Sequence, residues 1–287
     1  MNIVKIGFIG FGNLGTAIAK RLLSQNFEII GWNRTKEKMF SLPVVYVRTP
    51  LDVANQTDII VLNLFDSKAV ENVLTSEDGL LRATLHNKLI IDTSTNHYES
   101  VKGFHSMIKE KGGSYLEAPV LGSVIPAIQG MLTVLVSGDK SASDRASVVL
   151  NAIGKTIYYL GEPGLATKMK LVNNLVLGSF MATLAEAIVL GEAAGISKEK
   201  VIEILLVGAG NSGVLNAKKE KLLNEDFSPH FSIAAIKKDI GYLMELKADD
   251  GRQSLMGDAV NRMLDLAISN GYNDSDFSSL YATLKKK

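Results

Sequence analysis

One segment constrains this chain more than any other. Residues 3–9, apolar apart from Lys5, run into Gly10-Phe11-Gly12-Asn13-Leu14-Gly15, a G-x-G-x-x-G spacing that opens a helical pattern at 14–24. The three glycines serve different ends. Gly10 permits a tight turn, Gly12 lets the backbone approach a pyrophosphate, and Gly15 lets the helix pack close on the strand. The helix N-terminus then presents its amides and dipole to phosphate charge. The order strand, glycine loop, helix and second strand turns a common glycine pattern into a dinucleotide-binding one, with Phe11, Asn13 and Leu14 completing the loop.

The second strand ends at Trp32, and Asn33, Arg34 and Thr35 follow. An acid there would accept hydrogen bonds from the adenosine 2′-hydroxyl of NAD and repel a 2′-phosphate. This chain offers an amide, a guanidinium fork and a hydroxyl, with Lys38 one turn later, a set suited to phosphate. The expected cofactor is NADP(H). The alternative is a surface arginine at a strand end.

Short β-rich runs at 3–9, 28–32, 44–47, 59–62, 88–91, 114–117, 132–136 and 155–159 alternate with helical stretches such as 14–24, 67–74 and 100–110. Most of these runs lack alternation, as expected of parallel strands covered on both faces. The pattern predicts an α/β fold, with a Rossmann-type doubly wound sheet over residues 1–162. Beyond it the chain reads as helix. One helix of about eight turns lies within 162–195, followed by patterns at 198–206, 233–247 and 254–270. Residues 163–287 are thus expected to form an all-α domain that begins with an interdomain helix.

Composition narrows the function. A length of 287 residues is enough for two ordinary cores. Lys plus Arg exceeds Asp plus Glu by one, which gives no electrostatic case for nucleic acid or a membrane surface. There is no cysteine, so disulfides, thiolate catalysis and thiolate metal sites are excluded. His86, His97, His105 and His230 show no ligand spacing, and no metal is expected. The apolar stretch 171–194 contains Asn173, Asn174, Glu186 and Glu192, which fits a helix buried in protein better than a membrane span. Lys285-Lys286-Lys287 reads as a solvated tail, and the start of the chain as a strand without a cleavage site. The expected location is cytoplasmic.

Lys170 falls in the early turns of the long helix, where the macrodipole disfavours a cation. Asn174 lies at i+4, and Gly178 and Ala182 continue the stripe, as if another group must come close, whereas Lys168 points nearly the opposite way. An ammonium with its pKa lowered by dipole and burial can serve as general acid when a carbonyl is reduced, and as base in the reverse direction. The alternative is a lysine snorkelling at a domain interface. Lys238, with Ala234, Gly241 and Tyr242, faces away from the apolar stripe Ile233, Ile236, Ile240 and Leu243, as an exposed helix face also would.

Four segments in order then carry a resemblance to the β-hydroxyacid dehydrogenases over nearly the whole chain. "GFIGFGNLG" with "NRT" resembles the family's NADP-type signature, and "EAPVLGSVIPAIQG" (117–130) its substrate-binding loop. "GLATKMKLVNN" (164–174) resembles its catalytic segment, and "KD" at Lys238-Asp239, after Phe231, its C-terminal motif. The wording is most similar to glyoxylate and succinic semialdehyde reductases, and less so to 3-hydroxyisobutyrate dehydrogenases. The resemblance implies an active site in a cleft between the domains and a homodimer or homotetramer joined through the helical domain. It implies Lys170 as the catalytic lysine with Asn174 as partner. Leu64, Phe65 and Thr95 would border the nicotinamide, Gly122 and Ser123 would hold a substrate carboxylate, and Lys238 would contact substrate or cofactor, with Phe231 and Asp239 beside it.

Two positions depart from the family. Leu121 stands where a serine is usual, removing a donor whose bond to a charged group is worth about 1.5–3 kcal/mol. Tyr98 stands where proline commonly follows "DTST". The expected function is NADPH-dependent reduction of a small aldehyde or keto acid to the hydroxy acid. The alternatives are a 3-hydroxyisobutyrate-type dehydrogenase, a reductase of another carbonyl or an imine, and a non-catalytic NADP-binding module.

Overall fold

The computed structural model describes residues 4–39, 42–249 and 251–285. Ile3 of the expected first strand and Lys286-Lys287 of the expected tail lie outside the described residues. In chain order the elements are β1 (Lys5–Ile9), α1 (Asn13–Ser24), β2 (Glu28–Trp32), β3 (Val45–Tyr46), α2 (Pro50–Gln56), β4 (Ile59–Leu62), α3 (Ser67–Thr75), β5 (Leu89–Asp92), α4 (Tyr98–Glu110), β6 (Ser114–Glu117), β7 (Val120–Leu121), α5 (Val124–Gln129), β8 (Leu132–Ser137), α6 (Lys140–Ile153) and β9 (Gly154–Gly161). All-helical structure follows: α7 (Leu165–Ala193), α8 (Lys198–Val207), α9 (Gly213–Asn224), α10 (Ile233–Asp249), α11 (Leu255–Ser269) and α12 (Leu280–Lys285). Two compact units divide the chain after Lys170.

The strands form one sheet of order β3-β2-β1-β4-β5-β6-β8-β7, with β9 beside β8. The part from β3 to β6 is parallel. β8 runs antiparallel to both β6 and β7, and β9 is parallel to β8. The parallel pairing expected of most runs thus ends at β8. Residues 122–131 between β7 and β8 carry only the short α5, and a parallel return needs a crossover of a dozen residues or more.

Both faces of the central strands are covered, and β4 and β5 are accordingly apolar but for the closing Asp92, whereas β9 is largely exposed. Ile6, Phe8, Val61, Ile91 and Leu116 pack against Ile18 and Leu22 of α1 and Val149 and Leu150 of α6. Ile9, Ile60, Leu62 and Ile90 pack against α2, α3 and α4 through Val53, Val70, Leu74, Val101 and Phe104. The helical unit has its own core, built from Met181, Ala185 and Ile188 of α7, Ile233, Ile236 and Ile240 of α10, Val260 and Leu264 of α11, and Phe277, Leu280 and Tyr281.

With 29 residues and an 18-residue stretch of mean hydropathy 1.6, α7 is long and apolar enough to span a membrane by length and composition. Its C-terminal half instead supplies core to the helical unit. Gly178 and Ala182 belong to that core: a Cβ at Gly178 would lie 3.1 Å from Val260 and 3.2 Å from Ile236. The small residues at Gly178 and Ala182 therefore admit neighbouring helices of the same unit.

Candidate active site

The glycine loop carries the features of a phosphate cradle. A Cβ at Gly10 would sit 2.2 Å from the Asn63 carbonyl oxygen, and one at Gly15 would sit 2.0 Å from that of Gly10. At Gly12 a Cβ would meet nothing within 4 Å. Gly10 and Gly15 are thus used for packing, while Gly12 faces open space. Gly12 is also the N-cap of α1 and supplies no side-chain cap to that helix end, a setting suited to an anion. These residues fit a dinucleotide.

Asn33 turns inward. Its Oδ1 accepts from the Phe11 amide at 2.8 Å and its Nδ2 donates to the Thr35 carbonyl at 2.6 Å. The side chain locks the glycine loop to the turn after β2, where the sequence suggested an amide offered to phosphate. Arg34, Thr35 and Lys38 are exposed on that turn.

The carboxyl ends of β4 and β5 are stitched together. The Leu64 amide donates to Ser94 Oγ at 2.8 Å, and Asn63 Nδ2 donates to Thr93 Oγ1 at 2.9 Å. These bonds bring the Leu64-Phe65 loop beside the Thr95 loop, with Phe65 53% exposed. Asp92 anchors the second loop from beneath, accepting from the Ser94 amide (2.9 Å), Asn96 Nδ2 (2.8 Å) and Tyr115 Oη (2.6 Å). Burial pushes the Asp92 carboxyl above its ordinary range, against the pull of hydrogen bonds from Ser94, Tyr115 and Asn96. Burial, and then the charge of Asp92, hold Tyr115 well above the usual phenol value, so it remains a donor. Tyr98 is buried at the start of α4, stacked on His97, with Lys168 over its ring at 5.7 Å.

In the loop after β7, Leu121 pairs with Thr133 as strand, and Gly122 follows with φ +121°. Ser123 is the N-cap of α5, and its hydroxyl makes no cap hydrogen bond.

Lys170 and Asn174 are both buried, at 8% and 0% exposed, one turn apart on α7. Within the helical unit Asn174 Nδ2 donates to Asp239 Oδ2 at 2.6 Å, and Lys238 Nζ sits 2.9 Å from Asp239 Oδ1 and 5.3 Å from the Tyr242 ring centroid. Asn174 and Lys238 thus meet on the Asp239 carboxylate, the first through a hydrogen bond to Oδ2 and the second through an ion pair with Oδ1. The Phe231 ring packs edge-on against Phe277 at 5.8 Å, against the core of the unit.

Residues 5–161 match the NAD binding domain of 6-phosphogluconate dehydrogenase, and residues 164–284 match the NAD-binding domain of NADP-dependent 3-hydroxyisobutyrate dehydrogenase. The chain belongs to the β-hydroxyacid dehydrogenase family. It is 34% identical to the mouse (Mus musculus) cytokine-like nuclear factor N-PAC over 277 residues, covering 96% of this chain and 50% of the relative. The chain therefore spans about half the length of that protein. It is 31% identical to the chloroplastic glyoxylate/succinic semialdehyde reductase 2 of Arabidopsis thaliana over 288 residues, covering 99% of this chain and 80% of the relative. Among solved structures, Psf3 in complex with NADP+ and 2-OPP superposes with a TM-score of 0.92 at 26% identity, covering 97% of this chain and 99% of that one. Both family matches are to NAD-binding regions of dehydrogenases.

Several buried polar residues of this family member escape a reading of motifs. Asp92 and Tyr115 order the loop that carries Thr95. Glu117 and Ser137 are 1% and 0% exposed and hold the start of α7. The available signal was an acid closing an apolar strand, as Asp92 and Glu117 both do. Such an acid cannot stay buried unless donors meet it.

Proposed function

We propose that this chain is an NADPH-dependent reductase that converts a small aldehyde or keto acid, of the glyoxylate or succinic semialdehyde type, to the hydroxy acid. The observation that carries the reading is Lys170, a lysine only 8% exposed and one helical turn before the buried Asn174. A lysine is rarely buried so far unless it is paired or functional.

In this reading the amides of residues 10–15 hold the pyrophosphate, and Arg34, Thr35 and Lys38 hold the 2′-phosphate, on a turn shaped from inside by Asn33. Leu64, Phe65 and Thr95 line the nicotinamide. When bound, the cofactor supplies a hydride equivalent to the carbonyl carbon. Lys170 Nζ gives a proton to the carbonyl oxygen, and takes one back when the hydroxy acid is oxidised. The amides of Gly122 and Ser123 hold the substrate carboxylate in place of the hydroxyl that Leu121 lacks. Lys238, steadied by Asp239, adds positive charge. The reading extends to a cytoplasmic homodimer or homotetramer, supported by Val172, Val176, Phe180 and Leu190, apolar residues exposed along α7.

A second reading, a non-catalytic NADP-binding module, is favoured by the identity to a nuclear factor. NADPH consumption across glyoxylate, succinic semialdehyde, methylglyoxal and larger aldehydes separates the two, with Lys170→Ala alongside. Turnover of one small aldehyde acid that collapses in the variant supports the reductase. Tight NADPH binding with no turnover of any carbonyl supports the module.

A further inference from the structure

We propose that Glu117 and Ser137 are positioning residues for Lys170, clamping the first turn of α7 to the sheet and so fixing where the lysine Nζ lies. The inference rests on Lys170 being the proton donor.

The first amides of any α-helix lack partners within the helix. In α7 the Leu165 amide donates to the Glu162 carbonyl at 3.3 Å, and the amides of Gly164, Ala166 and Thr167 are satisfied from the sheet. The Glu117 carboxylate accepts from the Gly164 amide through Oε1, and through Oε2 from the Thr167 amide at 3.0 Å and Thr167 Oγ1 at 2.6 Å. Ser137 Oγ accepts from the Ala166 amide at 3.0 Å. A serine or threonine just before the helix could cap it locally, but the residue there is Gly164, with φ +95° and no side chain. The cap is therefore supplied from a distance of 47 residues or more for Glu117 and 29 for Ser137.

Glu117 and Ser137 face each other in the register of β6 and β8, where the sheet switches from parallel to antiparallel. Both ride on rigid strands. The buried carboxylate is stabilised by charge-assisted bonds and the positive end of the helix dipole. His105 Nε2 lies 3.8 Å from Glu117 Oε1. Lys170 follows Thr167 by three residues, on nearly the same face. A stiff helix carries any shift of its first turn through to Nζ, and displacement of a catalytic group by about 1 Å can cost about 100-fold in rate.

The test is a double-mutant cycle on the NADPH-bound protein, with Glu117→Gln, Lys170→Ala and their combination. NADPH and substrate affinities are measured in parallel, together with amide hydrogen exchange at residues 164, 166 and 167. Glu117→Gln is expected to lower kcat by about 10- to 100-fold and to speed exchange at those amides. NADPH Kd and substrate KM should stay within about two-fold, because the groups that hold those ligands are untouched. In the Lys170→Ala background the same change should cost no further kcat, since the group it positions is gone. Losses that multiply, or an unchanged kcat in Glu117→Gln while Lys170→Ala collapses, overturn this inference alone. Full turnover in Lys170→Ala overturns the proton-donor reading and this one with it. If Glu117→Gln does not fold to bind NADPH, Ser137→Ala carries the same cycle with the same outcomes.

Discussion

At the scale of single residues, the turn after β2 separates two roles that the sequence presents as one. Arg34 is exposed at the turn, and Asn33 is spent on the Phe11 amide and the Thr35 carbonyl. Arg34→Asp should reverse the cofactor preference. A hydrogen bond to a charged group is worth about 1.5–3 kcal/mol, so the ratio of kcat/KM for NADPH over NADH should fall by at least about ten-fold. An unreduced NADPH affinity in that variant sinks the 2′-phosphate assignment. The exposed place of Arg34 was legible because a guanidinium at a strand end stays in water. The role of Asn33 was hidden because its partner Phe11 is 22 residues away in the chain.

At the scale of elements, legibility followed hydrophobic pattern. β2, β4 and β6 lie where their apolar runs place them, and α7 has the expected eight turns. α9 was missed because two lysines stand on its buried side. Leu215, Lys218 and Leu222 recur at helical spacing, with Lys218 and Lys221 5% and 7% exposed, so a polar letter sits where the pattern wants an apolar one. β7 is two residues long and falls below any periodicity. Its loop nevertheless makes a sharp demand: at Gly122 a Cβ would lie 2.8 Å from Leu132 Cδ2, on a backbone that L-residues seldom adopt. Gly122→Ala is expected to cost about 1–3 kcal/mol of stability in urea melts. It should also raise substrate KM while leaving NADPH Kd unchanged. A raised NADPH Kd with an unchanged KM would remove this loop from the substrate site.

At the scale of the whole molecule, the sheet was written in apolar runs, but the polar centres that tie distant segments together were not. Asp276 is the clearest. It is 0% exposed and accepts from Lys218 Nζ at 2.8 Å, the amides of His230 and Phe231, and both the amide and hydroxyl of Ser278. Burial alone would raise its carboxyl, but the Lys218 charge and the hydrogen bonds from Lys218 and Ser278 win and hold it below the usual range. Burial lowers Lys218, with the charge of Asp276 opposing. The sign for Asp276 follows from linkage. With its folded value below the unfolded 3.8, the unfolded chain binds more protons between the two. The stability it lends is complete above 3.8 and is lost as pH falls through the depressed value. Asp92 acts in the opposite sense: its raised carboxyl makes stability decline as pH climbs from 3.8 through the raised value. Asp276→Asn leaves Lys218 buried without its counter-charge, and should cost about 3–5 kcal/mol near neutral pH. Below 3.8 the gap between variant and parent should narrow, because the parent loses what the variant never had. Urea melts followed by circular dichroism at a series of pH values test this. A gap that stays constant from neutrality down into that acid range would mean that the carboxylate charge of Asp276 contributes nothing, and that its hydrogen bonds to the three backbone amides carry the whole effect.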